Sequence, residues 1–316
     1  SRWLRQHLFT VDDSFYNMFS GQPKKYTLNR AGVRTLKEQL SVGMRRPHGS
    51  SLSSSEFEDE QDHGLAVQWA IRQYNIENCE YRDKSHRLWH EAQNIRKSVR
   101  NSFLCEKGLQ HQCDIVCAAP SLLHQHSWRY SGGHVLEHID HYIQNRSAVR
   151  QDLARQTGLP ESNIKVLINS LFAGAVLGAN PNFSSYSVCD KDPAIVKHLQ
   201  QNQYMTALRA DIKQMWEYMR PELEKTPVIQ TSASGRVRRV VMHPKNKWNL
   251  YFKLERSILN EIRSYMEHPE VDSRYFLIHD AFVCERKGLR HGIRDLQLWI
   301  EAGEGYKVEF EHTILT

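Results

Sequence analysis

A chain of 316 residues, 40% hydrophobic and 10% aromatic, can bury a sizeable core and is expected to form one two-lobed unit or two tightly joined domains, with the composition of an ordinary soluble protein. Forty-two Lys and Arg against 36 Asp and Glu give a formal charge of +6 and a pI near 8.9, a mild basic excess that suits an anionic partner and excludes a histone-like tail. No apolar run approaches the ~18 residues that cross a bilayer, and the opening SRWLRQHLFTVDD lacks the core of a signal peptide, so the expectation is a cytoplasmic protein with no membrane partner.

The first predicted element is a helix over 28–40. Residues 47–64, PHGSSLSSSEFEDEQDHG, are rich in Ser, Gly and acid and cannot offset their ordering entropy by burial, so a mobile loop is expected there. Residues 65–104 carry apolar residues at helical spacing among many Arg and Lys, which predicts one or two amphipathic helices. Residues 1–110 therefore read as a mainly helical region. At Gln110 the pattern changes, and CDIVCAAPSLL reads as a buried strand over 113–118, a turn at Pro120 and a helix start. The six cysteines, Cys79, Cys105, Cys113, Cys117, Cys189 and Cys284, show no CxxC pair, so neither a disulfide framework nor a zinc ribbon is indicated. His111, Cys113 and Cys117 fit a buried strand better than a zinc cluster.

Residues 134–230 return to helix. Val135, Ile139, Tyr142, Ile143, Val149 and Leu153 recur at three-to-four spacing, and Gly158 with Pro160 ends the run before a second helix follows. His134, His138 and His141 read as the polar face of that first helix. The C-terminal third mixes types: a strand over 236–243, a helix over 249–267, the apolar run YFLIHDAFVCE at 275–285, a helix near 289–301 and a strand over 306–315. These imply an α+β protein with a small antiparallel sheet backed by helices on one face. No internal repeat is present.

Two acids stand in apolar settings. In YFLIHDAFVCE the pair His279–Asp280 interrupts apolar residues, which suggests a hairpin with its polar pair at the bend. An Asp there is costly to bury unless it meets a cation or a donor; it is either a metal ligand or a turn residue held by backbone amides. Asp114 is the only carboxylate between Glu106 and Glu137 and opens the apolar stretch DIVCAAP. On neighbouring strands two such acids would hold Mg²⁺, which takes one or two carboxylates plus phosphate oxygens. Between them, SNIKVLINSLFAGAVLGAN forms a helix with an apolar stripe of Ile164, Leu167, Ile168, Leu171 and Ala175. Lys165, Asn169 and Ala173 lie on another face that either meets a ligand or is merely half-exposed.

The order Asp strand, Lys helix, His-Asp hairpin resembles motifs A, B and C of the family A DNA polymerases and the single-subunit, phage-type RNA polymerases. The resemblance covers roughly residues 110–290. It implies a palm built from 111–133 and 231–316, helical fingers from 134–230, and a thumb-like N-terminal region over 1–110. Asp114 and Asp280 then hold two Mg²⁺ ions, for which Mn²⁺ could substitute, Lys165 binds the triphosphate, and His279 positions the primer end or orients Asp280. Gly174 falls where the family has the Gly of its Tyr-Gly pair.

Several positions depart from the family pattern. Glu161 stands where motif B usually has an Arg, so Arg150 or Arg155 is expected to take over on the triphosphate. Asn169 and Ala173 replace aromatic residues. Ala281 follows Asp280 where Glu or Ser is common, leaving two Asp for the metals unless Glu255 contributes; Glu255 itself reads as a solvated surface residue of an amphipathic helix. Ala119 occupies the place of the bulky Glu that blocks the ribose 2′-OH, which leans toward ribonucleotide tolerance.

The implied activity is DNA-templated nucleotidyl transfer, that of a DNA-directed DNA or RNA polymerase, with nucleoside triphosphates and a template and primer or nascent strand as partners, by a monomer or within a replication or transcription complex. The residues ahead of Asp114 in this sequence read as helical, so no proofreading exonuclease is expected among them. GRVRRVVMHPKNKWNLYFK supplies Arg236, Arg238, Arg239, Lys245, Lys247 and Trp248, either a phosphate-contacting and stacking surface or an unliganded basic loop. Two other readings stand beside this one: a metal-dependent phosphohydrolase of the HD type, which carries its His-Asp pair on a helix, and an inactive nucleic-acid-binding replication protein.

Overall fold

The structure, a computed structural model, describes Phe9–Asp12 and Lys25–Leu28 by their backbone, and residues 81–84, 86–89, 93, 97–231 and 236–315. Of the helix expected at 28–40 only Leu28 is described, and it ends a strand; the rest of that helix, the loop at 47–64 and all of 65–80, Cys79 included, lie outside the described residues. The chain divides into two compact units, one of residues 1–81, 90–108 and 315–316, the other of 82–89 and 109–314. In the first, β1 (Phe9–Asp12) pairs antiparallel with β2 (Lys25–Leu28), and α1 (Lys97–Glu106) follows.

The second unit opens on a difference from the sequence reading. Within the stretch expected to be helical, β3 (Arg82–Lys84) and β4 (Arg87–Trp89) form an antiparallel hairpin. The reason is local. His86 adopts a φ of 68°, which no helix interior accommodates, and Arg87, Leu88 and Trp89 alternate so that Leu88 alone is fully buried.

From there the chain runs through β5 (His111–Ile115), α2 (Ala118–Ser131), α3 (Glu137–Thr157), α4 (Glu161–Phe172), α5 (Ser184–Val188), α6 (Pro193–Gln201), α7 (Gln203–Tyr218) and α8 (Arg220–Leu223). It continues through β6 (Val228–Thr231), β7 (Val237–Val240), α9 (Pro244–Met266), β8 (Tyr275–Ile278), β9 (Ala281–Cys284), α10 (Ile293–Glu304) and β10 (Phe310–Ile314). The α+β class follows from this order.

The sheet has the order β10-β5-β9-β8 with every neighbour antiparallel. The strand expected at 113–118 runs instead over His111–Ile115, because Cys117 takes a left-handed φ of 52° and α2 begins at once with Pro120 in its first turn, where a missing N–H costs nothing. The strand expected at 236–243 is not in this sheet. Val237–Val240 pairs with β6 as a separate hairpin, since Arg238 and Arg239 cannot be desolvated in a sheet interior and even Val237 is 63% exposed.

The helical prediction holds where the apolar stripes are long. On α3, Ile139, Tyr142, Val149 and Leu153 are buried, while Val135 before it is exposed. Helix α4 buries Ile164, Leu167, Ile168, Leu171 and Phe172, each worth about 1.5–3 kcal/mol of transfer free energy. Trp216 of α7 donates its indole N–H to the Phe172 carbonyl at 2.8 Å, closing the end of α4. Helices α2, α3, α4 and α7 pack on one another, and α9 lies against α2, α10, β4 and β8. Among the described residues no helix is long and apolar enough to cross a membrane.

Candidate active site

Asp114 sits next to the end of β5, the strand flanked by β9 and β10. Its register partner on β9 is Ala281, so Asp280 lies one residue further along, at the bend. The Ile115 amide donates to the Asp280 carbonyl at 2.8 Å, which ties that bend to the strand bearing Asp114. The bend is a two-residue connection, His279–Asp280, between Ile278 and Ala281. His279 takes a φ of 52°, the left-handed conformation that tight hairpins require at the first turn position. The two acids singled out in the sequence therefore adjoin, and the pair His279–Asp280 caps a hairpin.

The charge around Asp280 is specific. Burial raises its pKa and the Asp114 carboxylate adds to that, while a backbone hydrogen bond, Arg87 and Lys165 pull it down. Asp114 accepts from the Gln112 side-chain amide at 2.7 Å. Gln112 is itself buried, and its amide oxygen accepts no hydrogen bond, leaving an unpartnered hard oxygen on the face of β5 that carries Asp114.

Glu255 corrects the sequence reading. It was expected on a solvated face of α9, yet its side chain is 0% exposed. The Arg87 guanidinium donates to it through Nε at 2.7 Å and Nη2 at 3.0 Å, and the Tyr251 hydroxyl bonds to it as well. Burial holds the Glu255 pKa above the usual carboxylate range despite Arg87, and Asp280 contributes in the same direction. The amphipathic pattern of α9 hid this because the partner cation comes from β4, 168 residues away. Arg87 also lies 4.9 Å above the Phe252 ring. Neither Arg87 nor Tyr251 carried a signal in the sequence.

A second cluster faces the start of α2. Burial pushes the Cys117 thiol up to about 11, while the charges of Arg150, Arg146 and Lys165 act against it, so three cations are felt three residues beyond Asp114. Arg150 is buried and donates to the Tyr142 hydroxyl at 2.9 Å. Arg155 is not among these cations; it is exposed and paired with Asp152 one turn back on α3. Arg146, which the sequence reading did not single out, is spaced i, i+4 from Arg150 on one helix face, while Arg155 is turned about 140° from Arg150.

The other predicted positions are distributed as follows. Lys165 is exposed and Asn169 half-buried on α4, and Ala119 is half-buried in the first turn of α2. Ala173 is buried at the end of α4. Gly174 has a φ of 90°, and a Cβ there would meet the Lys247 side chain at 2.7 Å. Lys247 folds over the Trp216 ring at 5.1 Å with its pKa lowered by burial, so it lines the end of α4 and stands apart from the open basic surface. Arg236, Arg238, Arg239 and Lys245 are exposed. Trp248 is 36% exposed and stacks on Phe252 at 5.2 Å.

Two carboxylates and an amide oxygen are hard donors suited to Mg²⁺ or Mn²⁺. Among the described residues no group of three or more His, Cys, Asp or Glu comes together to hold a metal, so an ion at Asp114 and Asp280 would draw its remaining ligands from water and substrate phosphates, as Mg²⁺ commonly does. No protein-family model matches the chain, and no curated protein matches it. Among solved structures, the chain is similar to the POL domain of Pol1 from M. smegmatis in complex with DNA primer-template and dNTP, with a TM-score of 0.46 and 13% identity over 99% of this chain and 59% of that one. Neither the score nor the identity is high enough to assign the chain to that enzyme's family.

Proposed function

We propose that the chain is a template-directed nucleotidyltransferase whose reaction centre is formed by Asp114 and Asp280, with the triphosphate held by Arg146, Arg150 and Lys165. What supports this reading is that a carboxylate pair on β5 and the β8–β9 bend feels the charge of Lys165 from α4, while Arg146 and Arg150 of α3 act with Lys165 on Cys117, three residues beyond Asp114. A carboxylate pair alone would suit many ions; a carboxylate pair facing guanidinium and ammonium groups suits a phosphate chain bridged to a metal.

In this reading Asp114 and Asp280 hold one or two Mg²⁺ ions, which supply Lewis-acid activation of a 3′-hydroxyl and charge neutralisation on the phosphates. The chain's own groups do the rest. Gln112 fixes Oδ2 of Asp114 and so fixes the direction in which the other carboxylate oxygen points. Lys165, at the open face of α4, neutralises charge on the leaving pyrophosphate. His279, turned by its left-handed φ, sits beside Asp280 and orients the primer end. The half-buried Ala119 leaves space at a ribose 2′ position, favouring ribonucleotide tolerance. Trp248 and Arg236, Arg238 and Arg239 offer a stacking and phosphate-contacting surface for the template. A His-Asp pair at a bend between strands differs from the helix-borne pair of the HD phosphohydrolases.

The test is extension of a labelled primer on DNA and RNA templates with Mg²⁺, giving dNTPs and NTPs separately. Template-dependent products from the chain, absent in Asp114→Asn, support the reading. No product under any combination, with the fold intact, rejects it.

A further inference from the structure

We propose that Arg87 is a positioning residue that withdraws Glu255 from the carboxylate pocket, so that only Asp114 and Asp280 are left to hold an ion. This rests on the nucleotidyltransferase reading only in taking those two aspartates as the ion-holding pair.

Three acids reach the same region. Asp280 interacts electrostatically with both Asp114 and Glu255. Were all three available, the site would present three negative charges, one of them on a side chain with no solvent exposure. An isolated buried carboxylate is strongly disfavoured and recruits any cation within reach. Arg87 answers this from within the chain. It uses two donors on both Glu255 oxygens, so neither carboxylate oxygen is left free of a guanidinium contact. Tyr251 adds a further hydrogen bond, and Arg87 Cζ lies over the Phe252 ring, 4.9 Å from its centroid, a second contact that restrains the guanidinium. The hairpin of β3 and β4 exists in this position to deliver Arg87: α9 packs directly against β4. The positive charge of Arg87 also reaches Asp280, so it lowers the attraction of the aspartate pair for a cation.

Charge bookkeeping fixes the sign of each perturbation. Removing Arg87 alone takes its positive charge away from Asp280 and, at a pH where Glu255 stays ionised, frees that carboxylate to strengthen the negative potential there. Removing Glu255 alone leaves Arg87 uncompensated beside Asp280. Removing both returns the pocket to its starting charge. Arg87→Gln is chosen because a side-chain amide still donates a hydrogen bond to Glu255 and guards against unfolding.

The experiment titrates Mn²⁺ alone into the full chain, followed by calorimetry and by the electron paramagnetic resonance of free Mn²⁺, with folding of each variant checked by circular dichroism. Wild type is expected to bind Mn²⁺ in a manner lost in Asp280→Asn. Arg87→Gln is expected to bind roughly tenfold more tightly, the size of effect a unit charge exerts across a few ångströms of partly hydrated protein. Glu255→Gln is expected to bind more weakly, and Arg87→Gln/Glu255→Gln to return within about threefold of wild type. A tighter site cannot result from a damaged fold. If wild type binds through Asp280 but Arg87→Gln binds equally or more weakly, the proposal is wrong while the aspartate pair stands. If wild type shows no binding that depends on Asp280, the aspartate pair is not an ion site and both readings fall.

Discussion

Glu222→Gln isolates the contact that fastens the C-terminal segment next to the strand bearing Asp114. Glu222, on α8, bonds to His126 Nε2 at 2.6 Å and accepts from the Tyr130 hydroxyl at 2.8 Å, while His126 Nδ1 bonds to the Tyr306 hydroxyl at 2.7 Å. Tyr306 is buried and leads into β10, the partner of β5. The hydrogen bond to His126 brings the Glu222 carboxyl from 4.5 down to about 2. At ~1.36 kcal/mol per unit the shift is worth up to ~3.4 kcal/mol, and partial exposure reduces the expected loss in Glu222→Gln to ~2 kcal/mol at neutral pH.

The sign is fixed by linkage: a depressed folded-state pKa stabilises above the unfolded value and loses that stabilisation as pH falls through the folded one. Roughly a third of the difference between wild type and variant should be gone at pH 4 and well over half at pH 3. Urea denaturation of both proteins from pH 7 to pH 3 reads this directly. A difference that is absent at pH 7, or constant down to pH 3, refutes the role assigned to the carboxylate.

Leu167→Ala opens a cavity in the stripe of α4 and should cost about 2–5 kcal/mol in denaturant unfolding; a smaller cost would mean that the surrounding side chains collapse into the space. Asp280→Asn should stabilise the fold at pH 8 while removing primer extension, because the buried carboxyl has its pKa raised by burial and by Asp114; the gain should shrink as pH falls and the wild-type group protonates. Arg146→Ala should raise the nucleotide KM roughly tenfold, the scale of a charge-assisted contact, with Arg155→Ala unchanged in steady-state kinetics. Equal effects in the two arginine variants would contradict the triphosphate assignment.

The parts of the fold legible in the sequence are those governed by local periodicity. The stripes of α3 and α4 needed only three-to-four spacing, and the bend at His279–Asp280 needed only a polar pair inside an apolar run. Pairing was harder to read. Nothing local distinguishes Val237–Val240, which joins β6 in an exposed hairpin, from a strand of the main sheet; the difference lies in the cost of desolvating Arg238 and Arg239. The hairpin of β3 and β4 was hidden by basic and apolar residues that fit a helix equally well until His86 breaks the run.

At the candidate site, Asp114 and Asp280, which the structure brings side by side, stand out in one dimension because each is an isolated acid in an apolar stretch. Glu255 does not. Its burial depends on a guanidinium delivered from a distant hairpin, and an acid on an amphipathic helix looks solvated until that partner is known. Arg146 lay between these cases, readable from its spacing to Arg150 once the face of α3 turned toward Cys117 was identified.

The most direct test of the central claim is single-nucleotide incorporation onto a primer-template with Mg²⁺, comparing wild type, Asp114→Asn, Asp280→Asn and the exposed-surface control Arg155→Ala. The account predicts incorporation of the complementary nucleotide by wild type and Arg155→Ala and its loss in both aspartate variants. Incorporation retained in either aspartate variant, or absent from a folded wild type, would contradict it.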